Sequence, residues 1–152
     1  MTLMEVMDDL ADFLRRVVSE YSAKQKAGAV PIAVYAGYPP VRSSAKETAS
    51  CIYALVTDFT DGEDDMSTAR VEIGFSIYDD DEEEGWRSLM NIMEHVRQAL
   101  LMHPCLARRS VLVRPVKGEI TGDQPFPQWQ GKITADYAIG QPTEEGINYD
   151  RF

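Results

Sequence analysis

The densest group of side chains able to do chemistry in this sequence is a run of six acids: Asp79, Asp80, Asp81, Glu82, Glu83 and Glu84. Carboxylates can hold a divalent cation, but a calcium loop needs oxygen ligands at alternate positions and a glycine that permits a sharp turn. Acid–base catalysis needs one of two carboxyls to be desolvated, whereas a contiguous charged run stays hydrated. The run therefore predicts a solvated loop rather than a metal site or a catalytic site.

Histidine and cysteine are the other candidates for metal binding or nucleophilic catalysis. His95 and His103 are eight residues apart on one predicted helix, and a rise of about 12 Å prevents them from sharing one ion. A proline separates His103 from Cys105, and no glycine-rich elbow presents that thiol as a nucleophile. Cys51 and Cys105 lack metal-site spacing, which predicts two small, reduced, apolar side chains. Because the motifs of common cofactor and hydrolase sites are missing too, we expect no catalytic residue and no cofactor.

Length and charge set the broad class of the protein. The 152 residues are 44% hydrophobic and 26% charged, which is typical of one folded domain. The net charge of −10 opposes general binding to nucleic acid or anionic lipid, since both need a basic surface. The N-terminus lacks the pattern of a signal peptide, and no apolar stretch approaches the length of a membrane span. We therefore expect a cytosolic protein without membrane contact.

Hydrophobic spacing predicts two amphipathic helices. In the first, apolar residues recur every three or four positions from Leu3 to Tyr21, with Thr2 and Glu5 as a capping box and Gly28 as the stop. The second ends before Pro104, because the residue preceding a proline avoids the helical region. Its predicted apolar stripe consists of Trp86, Leu89, Met90, Met93, Val96 and Leu100.

Five segments have the character of strands: "AVPIAVYAG", "CIYALVTD", "ARVEIGFSIY", "SVLVRPVKGEIT" and "WQGKITADYAIG". The third and fifth alternate cleanly between apolar and other residues, whereas the second is apolar on both faces and is expected inside the sheet. The order of elements predicts an α+β fold, a largely antiparallel sheet with two helices on one face. We expect one domain over residues 1–140 and an extension over 141–152, mobile unless Ile147, Tyr149 and Phe152 dock onto a neighbour.

The segment "QPFPQWQG" at 124–131 predicts a stiff apolar corner before the last strand. It can be a structural turn whose tryptophan packs over the sheet. It can also be an exposed interaction corner, because rigid aromatic residues beside prolines bind partners at low entropic cost.

Three segments in a fixed order carry a family resemblance: "ARVEIGFSIYDDD", "GWRSLMNIMEHVRQALLMHP" and "RPVKGEITGDQPFPQWQGKITADYAI". Together with the N-terminal amphipathic helix, they resemble the small tail terminator (tail completion) proteins of long-tailed phages and prophages. In that family a strand leads into an acidic or polar loop and a helix, followed by a strand, a proline-containing turn and a strand that begins at a tryptophan. The resemblance covers residues 3–140, and it lies in the order and spacing of the segments.

The resemblance implies an α+β subunit that is not an enzyme and assembles with its own copies into a ring, commonly a hexamer. Such a ring caps the full-length tail tube, binding the tail tube protein, and provides the surface for the head-completion or connector protein. DNA passes through its lumen without specific binding. The implied location is the host cytoplasm during assembly and then the virion tail. No contact residues carry over, so the expected contact residues are inferred from this sequence: Pro125, Phe126, Pro127, Trp129, Asp79, Asp80, Asp81, Glu82, Glu83, Glu84, Asp64 and Asp65.

The acid run has two possible roles in such a ring. Lining the lumen, it would repel the passing DNA; facing outward, it would keep free subunits apart. In either role, magnesium is expected to favour assembly by screening the repulsion between neighbouring loops.

Two other functions stay open. A head-closure or head-to-tail connector protein would have a similar size, fold and ring form. An acidic immunity or DNA-mimic protein would instead bind one basic partner through its negative surface, without self-assembly.

Overall fold

The structure, a computed structural model, describes residues 1–23, 31–40 and 49–142. Its elements are α1 (Leu3–Ala23), β1 (Ile32–Ala36), β2 (Ser50–Asp61), β3 (Met66–Tyr78), α2 (Trp86–Met102), β4 (Cys105–Leu106), β5 (Ser110–Ile120) and β6 (Gln128–Gly140). The predicted α+β class is confirmed. Only the two-residue strand β4 was not expected. The predicted helix stop at Gly28 and the segment 143–152 lie outside the described residues.

The six strands form one mixed sheet in the order β1-β2-β3-β6-β5-β4, curled into a half-barrel. β1 is parallel to β2, and every other pairing is antiparallel. The predicted largely antiparallel sheet is therefore confirmed. β2 has a neighbour on both sides, as its two apolar faces predicted.

The core lies between one face of the sheet and both helices. Val71, Ile73 and Phe75 on β3 and Ile133 and Tyr137 on β6 point toward the helices and are buried. The strict period of two in these strands, with a buried side chain at every second position, explains why their sequences alternate. β3 and β6 pair over 13 residues and form the centre on which the rest of the fold depends.

Helix α1 begins as its capping box predicted. The backbone N–H of Glu5 donates to the Oγ1 of Thr2 at 3.1 Å, which satisfies one of the free donors of the first turn. The Arg109 guanidinium also binds the carboxylates of Asp9 and Glu5 at 2.7 and 2.9 Å. The hydrogen bond with Asp9 raises the pKa of Arg109. This contact ties the start of α1 to the turn between β4 and β5.

The predicted apolar stripe of α2 is wrong at two positions. Trp86 and Met90 are each 43% exposed, whereas Ile92, absent from the prediction, is buried. The helix packs through the face that carries Leu89, Ile92, Met93, Val96 and Leu100, and this leaves Trp86 and Met90 turned toward solvent. The helix ends at Met102, before Pro104 as predicted, and His103 lies just beyond it.

Both sides of the sheet end in a partly open strand. In the part of the chain that the structure describes, β1 pairs with residues 50–54 and β4 with Ser110 and Val111. Among the described residues, no strand pairs with the outer edge of β2 over 55–61 or of β5 over 113–120. Neither of the two described helices is long and apolar enough to cross a membrane.

Candidate interaction surfaces

The acid run forms the loop between β3 and α2 and is held by its own side chains. The Asp79 carboxylate accepts hydrogen bonds from the backbone N–H of Asp81 at 3.0 Å and from the Ser88 hydroxyl at 2.5 Å. Oδ1 of Asp81 accepts from the N–H groups of Glu83 and Glu84 at 2.9 and 3.0 Å. These two aspartates therefore shape the turn that starts α2.

The remaining acids of the run point into solvent. Asp80, Glu82 and Glu83 are exposed, and Glu84 forms an ion pair with Arg87. Within the part of the chain that the structure describes, no group of three His, Cys, Asp or Glu side chains is placed to hold a metal ion. What this loop offers a partner is a negative surface.

The proline-rich corner packs directly on this loop. The indole Nε1 of Trp129 donates to the backbone oxygen of Asp79 at 2.9 Å, and the N–H of Asp79 donates to the oxygen of Pro127 at 3.0 Å. Gly85 makes the contact possible, because a Cβ there would lie 2.6 Å from the Trp129 nitrogen. Residues 79–84 and 125–129 thus form one continuous patch, called here the loop–corner surface.

The two aromatic residues of the corner have different surroundings. Trp129 is partly buried against the hydrophobic core, as expected of a structural turn. The ring of Phe126 contacts the ring of Trp129 edge to face, with centroids 6.1 Å apart, and Phe126 remains 46% exposed. Pro125 is also exposed. The structural role thus belongs to Trp129, and Phe126 is the apolar side chain that the corner presents to solvent.

A second acidic surface lies at the other end of the sheet. The hairpin end of β2 and β3, residues 58–65, contains five acidic residues and no basic one; it is called here the acidic arm. β3 separates it from the loop–corner surface by 13 residues, or about 40 Å. Asp64 and Asp65, predicted as contact residues together with the acid run, therefore belong to a different surface.

A basic surface that was not predicted from the sequence lies on the opposite side of the sheet. Residues 106–118 contain four basic residues and no acidic one in a chain of net charge −10; Arg108–Lys117 is called here the basic edge. Arg109 is bound to α1, but Arg108, Arg114 and Lys117 are exposed and form no ion pair within the described ranges. Local charge along the sequence could have indicated this surface.

His95, His103 and Cys105 line one cavity between α1 and α2, whereas Cys51 lies outside it. His95 packs against the ring of Tyr21 and His103 against that of Phe13, with centroid distances of 5.4 and 6.4 Å. Cys51 is buried and Cys105 is exposed, and neither forms a disulfide within the described part of the chain. The prediction of two apolar cysteines therefore holds only for the buried Cys51.

Comparison with known proteins adds little to this geometry. No family model and no curated protein matches the chain. Among 27 matching chains of solved structures, one of unstated function is 12% identical and covers 86% of this chain and 96% of its own length, with a TM-score of 0.41. That degree of superposition carries no argument about function.

Proposed function

We propose that this chain is the subunit of a ring that ends the growth of a phage tail tube and forms the surface to which the head is joined. It acts by assembly and binding rather than by catalysis. The observation that carries the proposal is the order of segments in residues 3–140, in which a strand, an acidic loop, a helix, a proline-containing corner and a tryptophan-led strand follow one another as in tail terminator proteins.

The packing of these segments supports the proposal. Tyr78 at the end of β3 is paired with Gln128 at the start of β6, so the acidic loop and the corner lie side by side although about fifty residues separate them. The acidic arm lies at the opposite end of the same strand. A subunit with two different ends suits a ring that has one face toward the tube and another toward the head.

The proposed function is tested by the form in which the purified chain assembles and by what it caps. Closed rings seen by negative-stain electron microscopy, and attached to one end of purified tail tubes, are the expected result. A stoichiometric complex with one basic protein, without self-assembly, would contradict the proposal. Rings that bind heads but never tube ends would instead identify a head-closure or connector protein.

A further inference from the structure

We propose that the acidic arm of one copy docks against the basic edge of a second copy, and that repetition of this contact closes the ring. The inference deepens the proposed function by naming the two surfaces through which the subunits join, and it rests on that function. Its basis is the pair of strand edges that have no partner strand among the described residues. These edges lie on opposite sides of the sheet and carry opposite charges.

The open edges lie at the same height on the sheet. Through the paired residues of β3 and β6, Asp61 lies in one row with Ser110, and Asp58 in one row with Val113. β2 and β5 are about 14 Å apart, because two strands stand between them. A second copy placed edge to edge with the first, at the same position along the strand direction, would therefore bring its acidic arm beside the basic edge.

Charge complementarity identifies the occupant as a second copy. The arm carries Asp58, Asp61, Glu63, Asp64 and Asp65, and the opposite edge carries three basic side chains without an ion-pair partner in the described part of the chain. Opposite potentials on two surfaces steer and orient their encounter. Since every copy has both surfaces, head-to-tail contact satisfies them all.

Exposed apolar side chains accompany the charges on both sides. Phe59 on the arm is 57% exposed, and Val111 and Val113 on β5 are 47% and 38% exposed. A fully solvated hairpin gains nothing from a phenylalanine in this position, whereas an interface gains buried apolar area. Each surface thus offers apolar side chains beside its charges, Phe59 on the helix-facing side of the sheet and Val111 and Val113 on the other side.

The composition of the basic edge also explains how the contact is restricted to the correct partner. Charged residues and a proline on a free strand edge, here Arg114, Pro115 and Lys117, prevent indiscriminate pairing with other edges. The same charges admit an acidic neighbour. Because the arm and the edge are different surfaces, the contact is heterologous, and it produces a ring if the rotation between copies closes and a filament if it does not.

Charge reversal tests this contact. The arm variant is Glu63→Lys/Asp65→Lys, and the edge variant is Arg108→Glu/Arg114→Glu; all four side chains are exposed. In either variant like charges meet at the contact, and we expect association to weaken about tenfold or more. A chain with all four substitutions restores opposite charges and should form rings again, as should an equimolar mixture of the two variants.

A matched control separates the contact from the effect of net charge. Asp8→Lys/Glu20→Lys on α1 changes the charge as much as the arm variant does and leaves both surfaces intact, so it should assemble like the wild type. Thermal melting establishes that every variant is folded.

The outcomes distinguish this inference from the proposed function. Rings formed equally by the wild type, the arm variant and the edge variant would overturn the arm–edge contact and leave the proposed function standing. A folded four-substitution chain that fails to assemble would also overturn it, as would an equal loss of assembly in the control. A wild-type chain that never self-assembles would count against the proposed function itself.

Discussion

At the scale of single residues, Trp129 shows how one side chain can join the acidic loop to the proline-rich corner. Its ring packs against the core and its nitrogen holds the backbone of Asp79. We expect Trp129→Ala to lower the free energy of unfolding by about 2–4 kcal/mol, because packing and a hydrogen bond are lost together. Urea unfolding measures the change.

The neighbouring aromatic residue is the control for that prediction. Phe126 is 46% exposed and its ring contacts that of Trp129, so Phe126→Ala should lower the free energy of unfolding by only about 0.5–1 kcal/mol. Equal unfolding curves for Trp129→Ala and the wild type would show that the tryptophan does not support the fold.

Tyr137 provides a prediction about pH. Its side chain is fully buried on β6, and its hydroxyl has no hydrogen-bond partner among the described residues. Burial raises the pKa of this hydroxyl above its ordinary value. The folded chain therefore keeps a proton that the unfolded chain loses from about pH 10 upward, and stability should fall as the pH rises through that range.

The variant Tyr137→Phe should remove this part of the pH dependence. Near pH 7 we expect it to be neutral or stabilising by up to about 1 kcal/mol, since an unsatisfied buried group disappears. Above pH 10 the difference in the free energy of unfolding between this variant and the wild type should grow by up to about 1.4 kcal/mol per pH unit, in favour of the variant. Tyr38→Phe, at a position that is 84% exposed, is the control. A Tyr137→Phe protein less stable than the wild type at pH 7 would indicate that the hydroxyl is hydrogen-bonded.

At the scale of elements, the contact between the acidic loop and the corner depends on close approach at Gly85. A Cβ at this position would lie 2.5 Å from the oxygen of Asp81 and 2.6 Å from the Trp129 nitrogen. We expect Gly85→Ala to lower the free energy of unfolding by about 1–3 kcal/mol, because the loop and the start of α2 must move apart from β6. A Cβ at Gly122 would meet open space, so Gly122→Ala should leave the free energy of unfolding nearly unchanged. Equal losses in both variants would contradict the packing described here.

The sequence predicted the elements well where their periodicity was strong. β3 and β6 alternate along their whole length, and α1 has both a capping box and a regular stripe, so local rules were sufficient. In α2, Trp86 and Met90 have the right spacing for burial, but the tertiary contacts of the helix select a slightly different face. β4 is too short to have a period, and its pairing depends on the turn at 107–109.

The surfaces could be predicted only in part, since they are formed by residues distant in the sequence. The acid run was correctly expected to be a solvated loop. Its contact with the corner follows from the register of β3 and β6, which no local pattern contains. The separation of Asp64 and Asp65 from that loop likewise follows from the 13-residue length of β3.

At the scale of the whole molecule, the charges are sorted across the sheet. The acidic arm and the basic edge occupy opposite sides, and the loop–corner surface lies at the other end of the strands.

In a chain of net charge −10, the electrostatic repulsion between copies is large at low ionic strength. Magnesium should therefore favour assembly by screening it, a prediction that sedimentation with and without magnesium would check and that identical oligomers in both would contradict.

The most direct test of this account is negative-stain electron microscopy of the purified chain at increasing protein concentration, with and without magnesium, supported by mass from light scattering. We expect closed rings of about six copies joined head to tail. Monomers or two-fold dimers under every condition would contradict it.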